Sequence, residues 1–124
     1  MVVIVAPSPT KQDPDPTAVV AFDQLVDASI NRPARYMGHE LGVEPRDWEA
    51  ARVRWGLTYP EIYEVGSSNL GHIILYSILN AVPGQLCDRA YLPAADLSER
   101  LKERNQALFA VESRRPLPAF DILG

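Results

Sequence analysis

Arg52-Val53-Arg54-Trp55-Gly56-Leu57-Thr58-Tyr59-Pro60-Glu61-Ile62-Tyr63-Glu64-Val65-Gly66-Ser67-Ser68-Asn69-Leu70-Gly71, running on into His72-Ile73-Ile74-Leu75-Tyr76-Ser77-Ile78-Leu79-Asn80-Ala81-Val82-Pro83-Gly84, is the stretch on which the fold turns. In its first eight residues Val53, Trp55, Leu57 and Tyr59 alternate onto one face, and Pro60 stops the run, which predicts a strand. From Leu70 the apolar period lengthens: Leu70, Ile73, Ile74, Ile78 and Val82 recur at helical spacing, with the small Ser77 among them. Leu75 and Leu79 widen the stripe, so the helix is expected to be buried on more than one side. Ser67 or Ser68 is the expected N-cap, and Pro83-Gly84 closes the helix.

Working downstream, Leu86–Leu92 reads as a second strand broken by Pro93. Asp96 with Glu99 forms a capping pair for a helix over Leu97–Asn105. Ala107–Val111 reads as a short third strand and Ala119–Leu123 as the opening of a fourth. Upstream, Asp15, Pro16 and the apolar series Val19, Val20, Phe22, Leu25, Val26 and Ile30 predict an amphipathic helix over Thr17–Ile30, ended by Asn31-Arg32-Pro33. Ala34–Pro45 reads as an ordered loop, and Asp47–Ala51 as one further turn. Pro7, Pro9, Pro14 and Pro16 keep the first residues from forming a continuous helix or a central strand. The chain thus divides into a proline-rich segment 1–16, a helix and irregular lead-in 17–51, and a partial α/β domain 52–124. The expected fold is an open, mostly parallel, flavodoxin-like α/β sheet with helices, incomplete at its C-terminus.

Composition narrows the function. The chain has 124 residues, 47% of them apolar, which suits one globular domain. No apolar run approaches the ~20 residues of a membrane helix, and a net charge of −4 argues against nucleic acid as partner. Met1–Val5 is apolar but lacks a basic flank and a cleavage site, so the cytoplasm is the expected compartment. One cysteine, Cys87, excludes an internal disulfide and any all-thiolate metal or iron–sulfur site.

Ligands of open α/β sheets bind beyond the carboxyl ends of the strands. Here that place is the Tyr59–Gly71 segment, where the amides of Ser67, Ser68 and Asn69 could bind an anion or simply start a capped helix. The segment is neither GxGxxG nor a Walker A, since His72 follows Gly71. Glu61 and Glu64 could serve as acid and base or form a solvated loop face. His72 could face a ligand or sit packed at the sheet edge. His39 with Gly42 matches HxxG, part of a cobalamin-binding pattern, but Met37 stands where the orienting carboxylate would be, so the match is read as chance. The ligand-binding candidates are therefore Tyr63, Glu64, Gly66, Ser67, Ser68, Asn69 and Gly71; no catalytic and no metal residue is predicted. Arg100, Lys102 and Arg104 alternate with Glu99 and Glu103, a wet helix face.

Longer strings carry a resemblance. ArgTyrMetGlyHisGlu (35–40), TyrProGluIleTyrGluValGlySerSerAsnLeuGly (59–71), LeuTyrSerIleLeuAsn (75–80), ArgAlaTyrLeuPro (89–93), LeuPheAlaValGluSer (108–113) and ProLeuProAlaPheAspIleLeuGly (116–124) follow in order. Together they resemble the N-terminal portion of a family of radical S-adenosylmethionine proteins, over about residues 32–124. The resemblance implies a cobalamin-binding-like α/β domain ahead of a catalytic barrel. The barrel would carry CxxxCxxC, a [4Fe–4S] cluster and S-adenosylmethionine; cobalamin is left open, and any ligand would lie over the Tyr63–Gly71 loop.

The expected function is accordingly an N-terminal accessory or ligand-binding-like domain, cut before the barrel and inactive alone, with no cofactor of its own. Its partner would be the barrel, in cis or as a split chain. Two other readings stand beside it: an interaction module pairing through its sheet edge, including with a second copy, and a phosphate- or nucleotide-binding flavodoxin-like domain.

Overall fold

The computed structural model describes residues 15–40, 43 and 46–124. The expectations for Met1–Val5, Pro7, Pro9, Pro14 and Gly42 lie outside these residues. In chain order the elements are a single helical turn α1 (Phe22–Leu25), a 3-10 turn (Pro33–Tyr36), β1 (Val53–Tyr59), the short α2 (Tyr63–Gly66), α3 (Leu70–Ala81), β2 (Gln85–Tyr91), α4 (Ala95–Glu103), a second 3-10 turn (Leu117–Ala119) and β3 (Ile122–Leu123).

Both strand pairings are parallel and the order is β2-β1-β3. Val53 stands opposite Gln85 and Tyr59 opposite Tyr91, while Trp55 and Gly56 meet Ile122 and Leu123. The fold class is therefore the open parallel α/β sheet expected, and its order matches the first three strands of the flavodoxin-like 2-1-3-4-5 arrangement.

Strand alternation divides the two faces. Tyr59, Arg89 and Tyr91 point toward α3, where they meet His72 and Tyr76. The opposite face holds Leu86, packed with Ala110, Phe120, Trp48 and Ala51. Gly56 belongs there: a Cβ at this position would lie 2.7 Å from a Leu123 methyl and 3.2 Å from the Phe120 ring. A second core stands beside the sheet. It gathers Val20, Phe22, Leu25, Val26, Ile30 and Tyr36 against Leu97 and Leu101 of α4 and Phe109.

The outer edge of β2 is closed by side chains. The Cys87 N–H donates to Asn80 Oδ1 at 2.9 Å and its carbonyl accepts from Asn80 Nδ2 at 3.1 Å. The Arg89 N–H donates to Asp88 Oδ1 at 2.7 Å, and the Arg89 carbonyl accepts from the Val111 N–H at 2.9 Å. On the other flank, β3 bonds only to β1.

Several local expectations are corrected. Thr17–Ile30 is not a helix beyond the four residues of α1. Asp15 and Asp27 turn their carboxylates onto the N–H and hydroxyl of Thr17 and of Ser29, competing with helical hydrogen bonds. The Val20 N–H is taken by the Arg114 carbonyl at 2.9 Å, a tertiary contact that overrides the period. Ala107–Val111 is not a strand either: it shows one antiparallel bridge, Phe109 to Pro116. Arg114, at φ +54°, reverses the chain too soon for a ladder. Asp96 lies inside the first turn of α4, accepting from the N–H groups of Leu97 and, 65 positions away, Asn31, so it is no N-cap.

Candidate functional site

β1 and β2 end side by side in Tyr59 and Tyr91, and the chain between them returns through α2 and α3. The seven ligand-binding candidates all lie in that return. The N-cap of α3 is Asn69, not either serine: its Oδ1 accepts from the His72 N–H at 3.0 Å and its Nδ2 donates to the Tyr59 hydroxyl at 3.0 Å. Ser68 turns its hydroxyl back onto the carbonyls of Glu64 and Val65. The amides of Ser67 and Asn69 donate to the carbonyls of Tyr63 and Gly66, so two of the three expected anion donors serve the backbone.

Glu64 faces outward to Arg35 at 2.7 Å and Arg32 at 3.3 Å, and these cations hold its carboxyl below the usual range. It therefore stands apart from Tyr63, whose hydroxyl donates to Glu40 and whose ring meets Tyr91 edge-on at 5.3 Å. Burial, then Glu40, pushes the Tyr63 phenol up to about 12. Gly66 is buried beneath the aromatic rings: a Cβ there would stand 2.4 Å and 2.6 Å from Tyr91 carbons and 3.0 Å from Tyr59. Gly71 is exposed at the helix start.

The centre of the site is a set of residues that sequence reasoning passed over or left open. α3 presents His72, Tyr76 and Asn80, each four residues on, to Tyr91, Arg89 and Cys87 of β2, each two residues back. His72 lies edge-on between Tyr59 at 5.4 Å and Tyr91 at 5.5 Å. Arg89 lies under the Tyr76 ring at 4.6 Å and reaches Glu40 at 2.9 Å and Glu112 at 3.7 Å. The i, i+4, i+8 spacing of three polar residues was the available signal; the stronger apolar period masked it.

These groups are deeply placed. His72, Arg89 and Tyr91 are 5%, 5% and 6% exposed, and both His72 ring nitrogens, Arg89 Nε and the Tyr91 hydroxyl lack hydrogen-bond partners among the described residues. Burial, aided by the Arg89 charge and opposed by the Leu57 carbonyl, lowers the His72 pKa. Burial also pushes the Tyr91 phenol and the Cys87 thiol up to about 12. At neutral pH the cluster holds a neutral imidazole, protonated phenols, an inert thiol and one cation met by carboxylates.

The unfolded chain takes a proton on His72 near the ordinary 6.5, while the folded chain resists it. The His72 contribution to stability is therefore expected to be flat above pH about 6.5 and to decline below it, until the depressed folded pKa is passed. Thermal melts of wild type and His72→Phe across that window check this: the variant should lose the decline and melt no lower at neutral pH, because two unpartnered nitrogens are gone.

A cavity of about 120 Å³ opens between His39, Arg46, Tyr76, Cys87, Asp88 and Glu112. It is well below the ~300 Å³ at which pockets for drug-sized ligands begin. Among the described residues no three His, Cys, Asp or Glu stand together as a metal site, and no helix is long and apolar enough to cross a membrane.

Residues 71–124 match the family model described as Radical SAM proteins, N-terminal. The match runs from α3 through β3 and supports an N-terminal domain of the radical S-adenosylmethionine family. No curated protein and no solved structure matches the chain.

That family implies a [4Fe–4S] cluster and S-adenosylmethionine. A [4Fe–4S] cluster needs at least three thiolates; the chain has Cys87 alone, buried and held as a thiol. An axial imidazole for a corrinoid would have to come from His72, which is walled in, or from His39, which is exposed at φ +57° with its backbone N–H bonded to Glu112. The [4Fe–4S] cluster does not fit these residues.

Proposed function

We propose that this chain is the N-terminal accessory domain of a radical S-adenosylmethionine protein, a scaffold against which a separate catalytic unit sits and not itself a centre of chemistry. The observation that carries the reading is the family match over 71–124, which covers three of the elements that build the sheet domain, α3, β2 and β3. The polar cluster agrees with it in part: Asn80 is bonded to the β2 backbone, Arg89 is met by Glu40 and Glu112, and the Cys87 thiol is held protonated. The catalytic unit, with its [4Fe–4S] cluster and S-adenosylmethionine, would be joined in the same polypeptide or supplied as a partner chain.

Anaerobic reconstitution of the 124-residue chain with iron, sulfide and dithionite tests this. The expected result is no retained iron–sulfur chromophore after desalting and no 5′-deoxyadenosine from S-adenosylmethionine. A retained cluster that cleaves the cofactor would overturn the reading.

A second reading is favoured by the strand order, which reverses at β1 and so makes the Tyr59–Gly71 turn the topological switch point. There Tyr63, Glu64, Gly66, Ser67, Ser68, Asn69 and Gly71 would border a ligand. Thermal-shift measurements with flavins, nucleotides and cobalamins address it; a saturable rise in Tm with one of them would favour this reading over the scaffold.

A further inference from the structure

α3 is turned inside out relative to its composition. Its sheet-facing stripe is His72, Tyr76 and Asn80, while Leu70, Ile73, Ile74, Leu75, Ile78 and Val82 are between 40% and 69% exposed. A helix apolar on its outer face is normally covered. We infer that this outer face of α3 is the interface of a homodimer, two copies meeting helix against helix about a twofold axis near Ser77.

Charge selects a second copy as the occupant. From Val65 to Cys87, 23 consecutive residues, there is no Asp, Glu, Lys or Arg. Glu64, at the border, is already paired with Arg35 and Arg32. A partner recognised by charge finds nothing to read there, whereas a twofold contact sets the face against itself with no like charges opposed, although the chain carries a net charge of −4. Shape agrees: Ser77 and Ala81, one turn apart on the outer side, let a crossing helix approach between the Ile and Leu side chains. Six large apolar residues over three turns supply the core of an interface of standard size, ~800 Å² per partner. The inference is independent of the radical S-adenosylmethionine reading.

Light scattering coupled to size exclusion, with sedimentation velocity across a concentration series, tests it. Wild type is expected to be a discrete dimer. Ile74→Asp should weaken the dimer at least tenfold with an unchanged circular dichroism spectrum, since the side chain is already wet in the monomer. Ile122→Asp, on the β3 edge, should leave the dimer intact, and Ser77→Cys should cross-link two copies under mild oxidation while buried Cys87 stays reduced. A monomeric wild type, polydisperse aggregates, flotation with neutral phosphatidylcholine vesicles, or a dimer broken by Ile122→Asp and not by Ile74→Asp would each overturn the proposal.

Discussion

Replacing Asp88 by Ala is expected to cost about 3–5 kcal/mol, the largest loss of any single substitution considered. Asp88 is 2% exposed, and its carboxylate accepts three backbone N–H groups: Arg89 at 2.7 Å and Glu112 at 3.2 Å on Oδ1, and Ser113 at 2.7 Å on Oδ2. Alanine would strand all three in a place water does not reach, and hydrogen bonds to a charged acceptor are the stronger kind. Chemical denaturation should show the loss as a lower midpoint with an unchanged slope. Asp88→Asn is the discriminating control. One amide oxygen can still accept from Arg89 and Glu112, but the NH₂ then confronts the Ser113 N–H, so Asn should fall between wild type and Ala. Equal losses for both would show that the carboxylate's charge matters and the count of acceptors does not.

The second large effect is expected at Gly66. A methyl group there would overlap the Tyr91 ring, and that ring cannot swing aside because Tyr63 and His72 meet it edge-on. Gly66→Ala gains helix propensity in α2 but must displace packed aromatics, and overpacking of this kind costs about 1–3 kcal/mol. Gly66→Val should cost more and perturb the near-UV spectrum of the tyrosines. Tyr91→Leu in the Gly66→Ala background makes room, so a double-mutant cycle should return a coupling above about 0.5 kcal/mol. Independent losses at the two positions would refute the close approach.

How much of this could be read from residues alone divides by the range of the interactions. β1, β2 and the α3 helix announced themselves by alternation, by helical period and by Pro60, Pro83 and Pro93, all signals contained within a few neighbours. Thr17–Ile30 failed because Asp15 and Asp27 bond locally and Val20 bonds to Arg114, 94 positions on. The burial of α3 expected on more than one side failed for a related reason: Leu75, Ile74 and Ile78 are exposed. Period tells which residues share a side, but not which side meets the sheet, and here β2 offered Arg89 and Tyr91 to polar partners. The candidate loop was located at the strand ends, and Tyr63, Gly66 and Asn69 do meet Tyr59 or Tyr91 there. His72 was left open, and Arg89 and Tyr91 went unread, since a strand residue two places from another carries no sign of the helix above it.

The closed flank of β2 has a consequence for self-association. Linear growth of a cross-strand polymer requires two free ends on every subunit, one to receive and one to offer. Among the described residues Asn80, Asp88 and Val111 occupy the β2 flank, which leaves β3 as the side that can offer a ladder. Asn80→Ala, by freeing the Cys87 N–H and carbonyl, is thus expected to open that flank to another strand, read as a greater gain of thioflavin fluorescence on agitation than wild type shows.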